Sequence, residues 1–211
     1  MKLYTMPMTC ALACVIAIVW EDAPIEIVNL RYGDHKKPDY LSVNPRGQVP
    51  ALVFDDGEVL TEATAILSFI GAAFGGGDTD LYARNKPLGY REAEALSYLS
   101  SEVHAAFKGH FSPGTFADDA AGEETVKRKT YARLDGYFHY LNDWISDTDS
   151  PWLLEERSYA DAYLYIVMRW ISLTPLKLED YPNLVTHQRQ METDEGVRKA
   201  LKLAGMRAVG V

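Results

Sequence analysis

Cysteines, an excess of basic residues and long apolar runs are all scarce in this 211-residue chain. Its two cysteines, Cys10 and Cys14, cannot build a disulfide framework, and they stand at a helical i, i+4 spacing. There is no CxxC pair and no Cys/His cluster with metal-ligand spacing, so no metal site is expected. The longest apolar run, from Cys10 to Trp20, is too short to cross a bilayer. Lys2 is the only basic residue before that run, Pro7 interrupts the approach, and no small-x-small cleavage pattern follows. The run is therefore not read as a secretion signal, and a cytoplasmic protein is expected. Lys and Arg number 21 against 30 Asp and Glu, a formal net charge of −9. That balance argues against nucleic acid or an anionic membrane as the main partner, since either favours a basic face. Repeats and low-complexity tracts are missing too. With 47% hydrophobic and 24% charged residues, the composition is that of a globular protein with one large or two small domains.

The pattern along the chain divides it. Lys2–Thr5 reads as a short strand broken by Pro7, and a helix from Met8 or Thr9 to about Trp20 is apolar on nearly every side, as a helix packed between other elements should be. Ile25 to Leu30 reads as a second strand, parallel to the first through a right-handed crossover. A short helix is expected near Asp39 to Val43. The stretch Asn44-Pro45-Arg46-Gly47-Gln48-Val49-Pro50-Ala51-Leu52 is a turn feeding a strand. Pro50 stands where the strand begins, and Val49–Pro50 is a candidate cis peptide. Asp55-Asp56-Gly57-Glu58 is a hairpin turn leading to Val59-Leu60, and Thr61 to about Phe74 reads as a helix. This gives a βαβ-α-ββα domain over residues 1–76. Gly75-Gly76-Gly77-Asp78 ends it and opens a linker over 77–86. Residues 87–211 read as helix throughout, with breaks at Pro113-Gly114 and Ser150-Pro151. Ser158-x-x-Asp161 has capping-box spacing before an apolar run, Pro182 suits a first helical position, Thr193 or Asp194 can cap the last helix, and Gly205 can end it.

Two residue types on this frame can carry chemistry. Cys10 falls at the N-terminus of the first helix, where free amides and the helix dipole favour a thiolate, so a lowered pKa is expected. A small buried thiol without reactivity is the alternative. His104, with a pKa near neutrality, is either an acid–base group or a histidine satisfied within the bundle. Phe107, Phe111, Phe116, Tyr163 and Trp170 are candidates to line an apolar pocket between the domains, or else are core.

The run NPRGQVPALVFDDGEVLTEATAILSFI resembles the glutathione-site half of the thioredoxin-like domain in cytosolic glutathione transferases. The opening MKLY…P..C.LA resembles the bacterial beta class in particular, and SYADAYLYIVMRW is similar to the capping-box helix of the family's second domain. The resemblance implies a thioredoxin-like α/β domain followed by an all-α helical bundle, acting as a homodimer. It implies glutathione as co-substrate, with its thiolate attacking an apolar electrophile, and possible thiol-disulfide or peroxidase chemistry through Cys10. A catalytically weak binding or interaction protein on the same fold is the alternative. Carried over residue by residue, Cys10 and His104 would be catalytic. Val49 would pair with the cysteinyl part of glutathione beside Pro50, and Gln48 would add a side-chain contact. The Glu62 and Ala63 amides would take the γ-glutamyl carboxylate, and the Glu62 side chain its ammonium. Lys36 or His35 would meet the glycyl carboxylate, and Ser97 and Ser101 would contact glutathione from the second domain or a neighbouring subunit. The chain departs from the family pattern at Met6, where many members carry a sulfur-activating hydroxyl, at Ala11 in place of serine, and at Ala105 in place of lysine.

Overall fold

The computed structural model describes residues 1–75, 89–148 and 150–209. The expected linker at 77–86 lies outside the described residues. Two compact units emerge, one formed by residues 1–90 with 189–211 and the other by 91–188.

In the first unit, strands β1 (Lys2–Thr5), β2 (Glu26–Asn29), β3 (Ala51–Val53) and β4 (Val59–Thr61) form one sheet in the order β2-β1-β3-β4. β1 and β2 are parallel, with Leu3 opposite Ile27; the other pairings are antiparallel. The parallel pair needs a crossover, and helix α1 (Ala11–Trp20) supplies it. Ala11 to Ile18 are all buried, because α1 packs against α3 (Ala63–Phe74) and also against α9 (Glu195–Leu203). The β3–β4 hairpin closes on Gly57 at φ 91°, a conformation glycine adopts freely. The short helix α2 (Pro38–Leu41) begins with proline at its first turn.

A single cut at the linker therefore does not describe the packing. Residues 189–211, read from sequence as part of the helical bundle, cluster with the first unit. The apolar face of α9 (Val197, Ala200, Leu201) needs a partner, and α1 provides one. Gly196 permits the approach: a Cβ there would stand 2.7 Å from Trp20 Cδ1. Trp20 Nε1 donates to Asp194 Oδ1 at 3.1 Å, and the same oxygen caps α9 by accepting from Val197 N at 2.9 Å.

The second unit holds α4 (Gly89–Tyr98), running on from the end of the first, then a π-helical segment (Leu99–His104), α5 (Lys108–Phe111), α6 (Ala120–Ser146), α7 (Tyr159–Arg169) and the start of α8 (Pro182–Thr193). The regular α-helical spacing expected from Leu88 to Phe107 is interrupted by the π segment, which turns Leu99 and Val103 inward and leaves Ser101 and Glu102 exposed. Leu134, Phe138, Leu141 and Ile145 are the buried stripe of α6, while Tyr137 stands at its edge and donates to Glu102 Oε2 at 2.6 Å. Among the described residues, no helix is long and apolar enough to cross a membrane.

Candidate functional site

The turn before β3 is built by side chains that hold main-chain atoms. Asn44 is buried; it accepts from Arg46 N at 3.1 Å and donates through Nδ2 to Gln48 O at 2.8 Å. Tyr40 Oη donates to the same carbonyl at 2.6 Å. Gly47, at φ 58°, has no room for a side chain: a Cβ would meet His35 O at 2.8 Å and Lys36 Nζ at 3.1 Å. Lys36 Nζ donates to Gly47 O at 3.1 Å, which holds it beside the turn. The Val49–Pro50 peptide is cis. Gln48 is exposed, Val49 half-buried and Pro50 buried, so the segment presents an edge while Ala51 enters the sheet.

Cys10 faces this edge. It is the N-cap of α1, whose first helical residue is Ala11 rather than the expected Met8 or Thr9, and its Sγ lies 3.9 Å from Val49 O. Cys14, one turn on, has its Sγ 3.7 Å from Ala63 O. The two thiols therefore reach the backbone of the two segments that flank the site. The expectation of an acidified Cys10 is overturned. The thiol is pushed up from 9.0 to about 12, chiefly by burial and in smaller part by the Glu62 charge. The amides of Cys10 and Ala11 act in the opposite sense and lose to desolvation. The dipole argument failed because only 9% of Cys10 is exposed, and a charge without water costs more than one helix end returns.

Glu62 stands at the entrance to α3 with φ 70° and ψ 121°, a conformation costing a non-glycine residue on the order of 1–3 kcal/mol. The first α3 amide bonded within the helix is that of Ile66, to Glu62 O at 3.0 Å, so the amides of Ala63, Thr64 and Ala65 stay outside the ladder. Arg46 Nη1 meets Glu62 Oε1 at 2.7 Å, both side chains being more than half exposed. Sequence alone does not reveal this pairing, because Arg46 reads as part of a turn and no periodicity links it to Glu62. Cys10, Val49, Glu62 and Ala63 are thus gathered in one unit, with a sulfur, a peptide edge, a carboxylate and a helix N-terminus.

Residues 1–72 match the family model described as glutathione S-transferase, N-terminal domain, and residues 107–202 match that of the C-terminal domain. The chain is 32% identical to the glutathione S-transferase GstA of Escherichia coli O157:H7, over 98% of this chain and all of that one. It belongs to the glutathione S-transferase family. Among solved structures, a sphingomonad glutathione S-transferase complexed with glutathione is 31% identical with a TM-score of 0.82, covering 97% of this chain and 99% of that one. The beta-class transferase of Sphingomonas chungbukensis is 31% identical with a TM-score of 0.81, covering 98% of this chain and all of that one.

The transferase's second unit gathers a further set of predicted residues. His104 ends the π segment, and its Nδ1 is 2.7 Å from Tyr163 Oη, so the tyrosine fixes the imidazole ring. The Trp170 ring packs on His104 at 4.8 Å, on Phe107 at 5.2 Å and on Phe111 at 5.7 Å between centroids. Phe107, Tyr163 and Trp170 are buried, whereas Phe111 is 50% exposed and opens the cluster to solvent. Phe116 takes a different neighbour, the Lys108 ammonium, 5.5 Å from its ring centre. Ser97 and Ser101 are exposed, and Ser101 Oγ donates to Ser97 O at 2.8 Å. Among the described residues, no group of three or more His, Cys, Asp and Glu side chains gathers to hold a metal.

Proposed function

We propose that this glutathione transferase binds glutathione along Val49 and Pro50 and at the mouth of α3, and turns its thiolate on an apolar electrophile. The observation that carries this reading is the Cys10 thiol, 3.9 Å from Val49 O and within the field of Glu62. A thiol that holds its proton to about 12 is a hydrogen-bond donor across the physiological range. When glutathione binds, Cys10 turns its single S–H from Val49 O to the glutathione sulfur. Glutathione's own thiol, near the ordinary value of about 8.5, is the one that loses its proton to solvent. The resulting thiolate forms the S–C bond, and the leaving group departs with its electron pair. A high Cys10 pKa disfavours the thiol-disulfide or peroxidase reading, which needs a Cys10 thiolate.

The remaining assignments follow the same chemistry. The amides of Ala63 and its neighbours suit the γ-glutamyl carboxylate, and Glu62 suits the ammonium. Lys36 or His35 serves the glycyl end, Gln48 adds a side-chain contact, and Ser97 and Ser101 add contacts to glutathione. Phe107, Phe111, Tyr163 and Trp170 form the apolar pocket for the electrophile, with His104 held in it by the Tyr163 hydroxyl. The protein acts in the cytoplasm, a reducing compartment in which the free thiols Cys10 and Cys14 persist, and its role there is clearance of apolar electrophiles. The assembly is a symmetric homodimer, as is usual for a family enzyme; sedimentation equilibrium is expected to return twice the 23.6 kDa chain mass at micromolar concentration, and a monomer there refutes it.

Titration calorimetry with reduced glutathione tests the site. Binding in the millimolar range or tighter is expected, with turnover of a generic aryl halide. Glu62→Ala is expected to weaken glutathione binding by about two- to fivefold, the loss of one exposed charge contact. Unchanged affinity in that variant would remove Glu62 from the site.

A further inference from the structure

The loop that delivers Cys10 contains a residue in an unfavourable conformation. Met8 sits at φ 59°, in the left-handed region that side chains other than glycine, asparagine and aspartate rarely occupy. Within the loop, Thr9 Oγ1 donates to Met6 O at 2.6 Å. The Met8 amide points elsewhere: it donates to Met206 Sδ at 3.4 Å, across almost the whole length of the chain. Met206 is itself rigidly presented. Gly205, at φ 67°, ends α9 in a Schellman turn, with Met206 N bonded to Leu201 O at 2.7 Å and Gly205 N to Lys202 O at 3.2 Å. A Cβ at Gly205 would touch Pro7 Cγ at 3.9 Å, so the turn lies against the catalytic loop. Beyond Met206, Val209 N donates to Glu192 Oε1 at 2.9 Å, and on the other side Asn29 Nδ2 donates to Leu203 O at 2.5 Å. The sulfur is thus held at both ends and aimed at one amide.

We propose that Met206 is a positioning residue for Cys10: its sulfur stabilises the left-handed Met8, and that turn sets the thiol as the N-cap of α1 facing Val49. This rests on the reading of Cys10 as the donor to glutathione only where turnover is the readout. The placement of the thiol can be measured without it.

Met206→Leu keeps the volume and removes the acceptor; Met206→Gln restores an acceptor. In the leucine variant, Cys10 alkylation by iodoacetamide, followed by peptide mapping, is expected to accelerate about tenfold, with the melting temperature nearly unchanged. The turnover number for conjugation should fall about tenfold while KM for glutathione stays within about twofold, because Val49 and Glu62 lie on other elements. The glutamine variant should partly reverse both changes, slowing alkylation and raising turnover. In a Met8→Gly background the left-handed turn needs no support, and Met206→Leu should change alkylation by less than about twofold. Alkylation of Cys10 at the native rate in Met206→Leu overturns the proposal, as does an equal acceleration in the Met8→Gly background. Faster alkylation with unchanged turnover upholds the positioning by Met206 and removes Cys10 from the chemistry.

Discussion

Asp161→Ala is expected to destabilise the helical unit by about 3–5 kcal/mol, enough to lower the melting temperature by roughly 10 °C or more. Asp161 is fully buried, and both its oxygens are in use. Oδ2 accepts from Ser158 N at 2.8 Å and from Ser158 Oγ at 2.9 Å. Oδ1 accepts from Leu153 N at 2.8 Å and lies 2.9 Å from His187 Nε2, which is also fully buried. One carboxylate therefore starts α7, pins the loop before it and anchors α8. Alanine would strand four buried donors at about 1–3 kcal/mol each before relaxation. The loss is large against a typical total stability of about 5–15 kcal/mol. Asp161→Asn keeps the shape but turns an NH2 group toward one pair of donors, so an intermediate loss is expected. Thermal unfolding followed by circular dichroism measures both variants. A melting temperature for Asp161→Ala within about 2 °C of the parent would show that the carboxylate is not the anchor described.

Cys10→Ala is expected to lower kcat/KM for conjugation by about a hundredfold, the usual loss when one donor to a developing anion is removed. Cys10→Ser keeps a donor and should fall between. The proton on Cys10 separates this mechanism from a nucleophilic cysteine. A shift from 9.0 to about 12 leaves about a thousandfold less thiolate at neutral pH. Native Cys10 should therefore react with iodoacetamide at least about a hundredfold more slowly than a free cysteine, and denaturant should abolish the difference. Labelling as fast as a free cysteine would mean the thiol is ionised, and the donor role would fall. Stability carries the same signature. Below about pH 9 both folded and unfolded chains keep the Cys10 proton, and the group's full contribution is present. As pH rises from 9 toward 12 the unfolded chain loses that proton while the native chain holds it, so stability drops. Cys14, also raised by burial, steepens the decline. In a Cys10→Ala, Cys14→Ala protein the alkaline loss should be smaller.

Much of the fold was legible in residues that act locally. Lys2–Thr5 is a strand in both sequence and structure. Gly57 closes the hairpin, Pro182 opens α8, Asp194 caps α9, and Gly205 ends it. Ser158-x-x-Asp161 announced a helix start because both partners of the reach-back bond lie within one turn. The Val49–Pro50 turn and the start of α3 were legible for the same reason: a proline-bounded strand and a helix N-terminus are properties of short stretches.

Only the tertiary structure decided the chemistry of those stretches. Cys10 was expected to be acidic from its helix position alone. Its ionisation is a contest between the local amides and burial in the folded chain, and burial wins. Arg46 found Glu62, and Met8 found Met206, across separations that no periodicity encodes. Residues 189–211 joined the first unit because α1 had a face that the sheet and α3 did not cover. Sequence by itself determined most of the elements that form and which side chains could do chemistry. Folding determined which of those side chains lose their water, and with it which proton moves.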